Sequence, residues 1–168
     1  MLFREKKENK KLFVDWCIEN SKKLLGFDLN WQQIRLLECL DDNNYTIIKS
    51  FRCSGLTSIL LLKIVYDILY NVGTGENRIL FISHDCHSAA YNLKFLMKIL
   101  ERCEEPIYYK MIKISNIKLR YNGNSTIIKF SGPNIEYNLN SEKPYNDLYI
   151  DNCAFIDTWH KGDGVKNS

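Results

Sequence analysis

The sequence contains no long apolar run. The longest, Ile59 to Val65, is interrupted by Lys63 and falls far short of the ~20 residues that a helix needs to cross a bilayer, so no membrane partner is expected. Nor is there an apolar leader. The chain opens MLFREKKENKK, charged where a secretory signal is greasy, and a cytoplasmic location is expected. The cysteines, Cys17, Cys39, Cys53, Cys86, Cys103 and Cys153, include no CxxC pair. Zinc sites use closely spaced ligand pairs and disulfides need an oxidising compartment, so free thiols are expected and Asp85-Cys86-His87 is not read as a metal site. Internal repeats and low-complexity tracts are missing too. Charge is nearly balanced, 23 Lys and Arg against 20 Asp and Glu, for a net +3. All of that excess lies in residues 1–11, where Arg4, Lys6, Lys7, Lys10 and Lys11 face only Glu5 and Glu8. Such an arm can touch DNA phosphates, although a solvated N-terminal face accounts for it more simply.

What is present is an ordinary globular composition. The 168 residues are 45% hydrophobic and 26% charged, enough to bury roughly 70% of the unfolded surface. Apolar spacing predicts helices over about 10–25, 30–41 (opened by Asn30), 57–71 and 86–103. Strands are expected at 45–50, at the continuous run 78–83, and at 107–114, 117–121, 126–130 and 147–151. Asn122-Gly123 reads as a tight hairpin turn. Strand, turn, helix, strand, helix implies right-handed parallel crossovers.

A strand feeding a glycine turn and then a helix can cradle an anion on backbone N–H groups. The frame Ser50-Phe51-Arg52-Cys53-Ser54-Gly55-Leu56-Thr57 fits the P-loop spacing but places Leu56 where lysine is required. The strand Leu148-Tyr149-Ile150-Asp151 ends in a carboxylate suited to Mg²⁺, and Asn152 follows where a hydrolytic glutamate would stand. Other candidates are weaker. His84, Asp85 and His87 follow a strand, but no Ser or Cys nucleophile spacing accompanies them. Tyr108, Tyr109 and Tyr121 interleave with Lys110, Lys113, Lys118 and Arg120 as in nucleic-acid binders, and a half-exposed sheet explains the same alternation more cheaply.

Taken together, these motifs resemble the N-terminal ATPase region of the large terminase subunit, the DNA-packaging motor of tailed phages. The likeness spans about residues 28–157, and its most specific part is Tyr149-Ile150-Asp151-x-Cys153-Ala154-Phe155-Ile156. The resemblance implies an adenine-reading Gln32 after Trp31, with Gln33 as the alternative register. It further implies a vestigial nucleotide site at Arg52, Ser54, Gly55, Leu56, Thr57 and Ser58, and Asp151 and Asn152 on the strand opposite. Thr57 and Asp151 would hold Mg²⁺ if ATP bound, and Arg52 would partly replace the missing ammonium. The implied fold is α/β, a P-loop NTPase-like three-layer sandwich whose mainly parallel sheet carries an antiparallel hairpin insertion. Its organisation would be an arm and helix over 1–27, the ATPase-like domain over 28–157 and a polar tail over 158–168.

With the lysine and the glutamate both replaced, no catalytic residue is assigned and hydrolysis is not expected. The later coupling motif and the nuclease domain are not expected either, since the sequence ends at Ser168. The expected function is a non-hydrolysing binding or regulatory protein tied to packaging-motor proteins or DNA. The alternatives are a weak ATPase completed in trans, a split terminase fragment, or a helicase-like nucleic-acid-binding domain. A plainer reading makes Leu56 a packed helix residue, Thr57 an N-cap and Asp151 a strand-end acid.

Overall fold

The first helix closes where a glycine permits it. In this computed structural model, which describes residues 2–42, 54–70, 75–133 and 144–151 (side chains of 2–12 and 42 excepted), α1 runs Leu2–Leu25. Gly26, at φ +91°, donates its N–H to the Lys22 carbonyl at 3.0 Å, a left-handed stop that an L side chain would resist. The described residues form two compact units, Met1–Val72 with Leu96–Pro106, and Gly73–Phe95 with Ile107–Ser168.

The first unit is helical. Along α1, Phe13, Cys17 and Leu24 fall on one stripe and are buried, and burial pushes the Cys17 thiol far above its ordinary range. Helix α2, Trp31–Asp42, is opened by a reciprocal cap. Asn30 Oδ1 accepts from the Gln33 N–H and Gln33 Oε1 accepts from the Asn30 N–H, both at 3.0 Å. Helix α3, Leu56–Tyr70, is apolar over most of its surface, Lys63 and Asp67 apart, and almost wholly buried. It meets α1 through rings, with Tyr66 lying 4.7 Å from Phe13 and 5.5 Å from Trp16. Burial, followed by the nearby carboxylates Asp41 and Asp67, pushes the Tyr66 hydroxyl up to about 12. Helix α4, Cys86–Arg102, gives its last turns to this unit, and Arg102 Nη1 donates to the otherwise orphaned Leu24 carbonyl at 3.1 Å. No helix among the described residues is long and apolar enough to cross a membrane.

The second unit is a sheet of five strands: β1 (Glu76–Ile82), β2 (Tyr108–Lys113), β3 (Asn116–Tyr121), β4 (Asn124–Ser131) and β5 (Asp147–Ile150), in the order β2-β3-β4-β1-β5. Asn122 and Gly123, both at positive φ (46° and 82°), make the turn between β3 and β4. β1 is parallel to both β4 and β5, whereas β2–β3 and β3–β4 are antiparallel. One face of the sheet carries Ile117, Leu119, Ile128, Phe130, Ile79 and Phe81, each at most 1% exposed.

These pairings correct the expected P-loop NTPase-like three-layer sandwich. The sheet is mixed, with two parallel and two antiparallel pairs among the described strands, rather than mainly parallel. The hairpin is not an insertion beside the sheet. The tight Asn122-Gly123 turn forces β3 and β4 to be antiparallel, and β4 then aligns with β1 from Glu76↔Ser125 to Ile82↔Ser131. The hairpin is thus part of the sheet itself. The strand expected at 45–50 lies outside the described residues.

Candidate functional site

Because β4, β1 and β5 run the same way, their carboxyl ends share one edge. The ladder there continues past the strands, with the Ser83 N–H on the Ser131 carbonyl at 2.9 Å and the Asp151 N–H on the Ile82 carbonyl at 2.8 Å. Three polar side chains are buried at this edge, Ser83, Asn92 and Asp151, at 1%, 4% and 2% exposure. Asn92 Nδ2 donates to Ser83 Oγ at 3.0 Å and to Asp151 Oδ2 at 3.3 Å, tying both strand ends to α4. Asp151 is therefore a strand-end acid held from behind by an amide.

Beside it, Asp85 caps α4. Its Oδ1 accepts from the Ser88 N–H at 2.6 Å and its carbonyl from the Ala89 N–H at 3.1 Å. The Ser88 backbone N–H first, then the Ser88 hydroxyl, His84 and the His87 N–H, hold the Asp85 carboxyl below the usual carboxylate range against partial desolvation. His84 Nε2 lies 2.8 Å from Asp85 Oδ2 and 3.4 Å from Ser88 Oγ. A hydrolytic triad needs the base to face serine and acid through opposite ring nitrogens. Here one nitrogen faces both, so Ser88, His84 and Asp85 make a cap and not a relay. Among the described residues, no group of three or more His, Cys, Asp or Glu is placed to hold a metal ion.

The second candidate lies in the helical unit. Gly55, at φ +79°, turns the chain into α3, and Gln33 packs on it. Gln33 Nε2 donates to the Ser54 carbonyl at 3.1 Å, and the Leu56 N–H approaches Ser54 Oγ at 3.4 Å. Of the two glutamine registers, Gln33 is buried against this turn while Gln32 is exposed. Both ends of the Gln33 amide are engaged by protein, the oxygen by the Asn30 N–H and the nitrogen by the Ser54 carbonyl. Leu56 begins α3 and Ser58 is buried, with Thr57 half-buried between them. Arg52 and Asn152 lie outside the described residues, and Thr57 and Asp151 belong to different units. Taken by itself, the described part of the turn presents no cationic side chain to a triphosphate. The turn offers hydrocarbon at the cation position, the glutamine amide is engaged at both ends by protein, and Asp151 is buried with an amide on one carboxylate oxygen.

This turn has a measurable consequence. A Cβ at residue 55 would sit 2.4 Å from Gln33 Nε2, on a backbone that disfavours L side chains. Gly55→Ala is expected to destabilise the protein by about 1–3 kcal/mol, read as a shifted urea midpoint. Gln33→Ala should cost about 1–3 kcal/mol, by removing its side-chain bonds to the Asn30 N–H and the Ser54 carbonyl while the Asn30 cap stays. Gln33→Glu, which keeps the acceptor but opposes the Ser54 carbonyl, should fall between wild type and Gln33→Ala.

Asn92 and Ser83 were not singled out from sequence, although a signal existed. Asn92 interrupts the apolar stripe Ala89, Leu93, Leu96, and a polar residue on a buried helix face usually has a partner. No family model, curated protein or solved structure matches the chain.

Proposed function

We propose that this chain is a non-hydrolysing relative of the ATPase region of the tailed-phage large terminase subunit. It acts in the host cytoplasm as a binding or regulatory partner of the viral DNA-packaging machinery. The observation that carries the reading is the glutamine on the turn before α3. Gln33, the alternative register two residues after Trp31, packs on the Ser54-Gly55 turn, its amide oxygen on the Asn30 N–H and its nitrogen on the Ser54 carbonyl. The carboxylate Asp151 at the end of β5, buried on Asn92, supports the same reading. The motifs remain and their chemistry has gone. Loss of a preorganised cation costs ~10²–10³ in rate and loss of a general base a further ~10²–10⁴, which brings a slow motor ATPase near background.

The test has two arms. The purified chain with ATP and Mg²⁺ is expected to release no phosphate above buffer, and a tagged chain should co-purify with the packaging proteins of the same phage or prophage. Hydrolysis that disappears in Asp151→Asn would overturn the non-hydrolysing reading. Failure to recover any packaging protein would overturn the regulatory one.

A further inference from the structure

The register of the sheet sorts the basic residues. On the face opposite the apolar one, cross-strand partners run Tyr108, Arg120, Ser125, Glu76 in one row. The next row is Lys110, Lys118, Ile127, Arg78, and the third is Lys113, Asn116, Lys129, Leu80. Six cations and a single carboxylate thus occupy a grid of four strands by three rows. Strand spacing and rise make this grid about 14 Å by about 14 Å, its β1 corner covered where Tyr145 and Ile150 pack on the fully buried Leu80. The carboxylate, Glu76, pairs with Lys118 at 3.2 Å.

These cations crowd one another. Burial first, and then Lys113 and Arg78, hold the Lys129 amine below its ordinary range. Arg78 lies 5.2 Å over the Tyr145 ring, and its Nε has no hydrogen-bond partner among the described residues. Lys110, Lys113 and Arg120 are exposed, and beside them the Tyr108 ring is 75% exposed. Charged side chains on an edge strand also deter edge-to-edge pairing, which accounts for Lys110 and Lys113 on β2. It does not account for Lys118, Arg120, Lys129 and Arg78, which lie on inner strands. The tyrosines divide by the same register, Tyr108 onto the basic face and Tyr109 and Tyr121 onto the other.

We propose that this sheet face binds single-stranded nucleic acid, its cations gripping successive phosphates and Tyr108 stacking on a base. A patch of like charge gains affinity from a polyanion through counterion release, and an exposed ring beside it supplies sequence-tolerant stacking. The proposal stands whether or not the terminase relationship does.

The test is fluorescence anisotropy of the full chain with a labelled 20-nucleotide oligothymidylate across a salt series. Each phosphate contact contributes about 0.7 to the slope of log K against log salt. The variant Lys110→Gln, Lys113→Gln, Arg120→Gln, altered only at exposed positions, is expected to flatten the slope by about 2 and to lose about 100-fold in affinity at 0.1 M salt. Tyr108→Ala should leave the slope unchanged and weaken binding about fivefold or more. Neutralising Arg4, Lys6, Lys7, Lys10 and Lys11 instead should leave the sheet-face contribution intact. The proposal is overturned if wild type shows no saturable binding at low salt, or if the N-terminal variant abolishes binding while the sheet variant retains it. It is equally overturned if a duplex, polyglutamate or phosphatidylserine vesicles compete as well as the oligothymidylate and Tyr108→Ala has no effect.

Discussion

Lys63→Ala is expected to destabilise the protein by about 3–5 kcal/mol, a large share of the ~5–15 kcal/mol that holds a domain folded. Its ammonium lies 2.5 Å from Asp67 Oδ1, one turn along α3, with the two side chains 15% and 8% exposed. It also sits 5.1 Å over the Phe13 ring. The surrounding helix is hydrocarbon, since Ile59, Leu61, Leu62, Ile64 and Val65 are fully buried. Removing the lysine alone takes the counter-ion from a buried carboxylate in that setting and a cation from an aromatic face. Removing both charges does neither. Lys63→Met combined with Asp67→Leu is therefore expected within about 1 kcal/mol of wild type, or above it. Urea unfolding at constant m separates the two. Equal losses in the single and the double variant would show that packing of the lysine stem, rather than the charge, is what the helix needs.

The same lysine shows how far sequence reasoning reached. It was legible as the break in the longest apolar run, and the carboxylate four residues on completes the pair at ordinary helical spacing. The cap of α2, the Asn122-Gly123 turn and the strand ending in Asp151 were legible for the same reason. Each is written within a few consecutive residues. Pairing across the sheet is not written that way. Alternation along 107–114 and 117–121 says that residues share a face but not which partner lies opposite. The hairpin was therefore read as an insertion when β4 is in fact β1's parallel neighbour. Nor could alternation show that β2 would be exposed on both faces. The basic face needed the register as well. Lys129 and Arg78 join Lys110, Lys113, Lys118 and Arg120 only once β1, β3 and β4 are aligned.

Phe81→Ala is expected to cost about 3–5 kcal/mol. The run 78–83 is continuous and carries a strand as expected, and β1 is fully buried over Ile79–Ile82. The reason is its position, with parallel neighbours on either side. Phe81 faces Phe130 of β4 and Tyr149 of β5 in register, its ring centroid 5.2 Å from one and 6.3 Å from the other. Truncation opens a void between two strands at once, one residue pair before the edge where Ser83 and Asp151 are held. Phe130→Ala opens the void from the neighbouring strand and should cost a similar amount. Because the rings touch, the double variant should fall short of the sum by about 0.5–3 kcal/mol. Phe81→Leu, which fills most of the space, should lose less than half as much as Phe81→Ala. Additive single effects in denaturant unfolding would mean that the two rings contribute separately, and that β1 is held by its ladder rather than by this aromatic row.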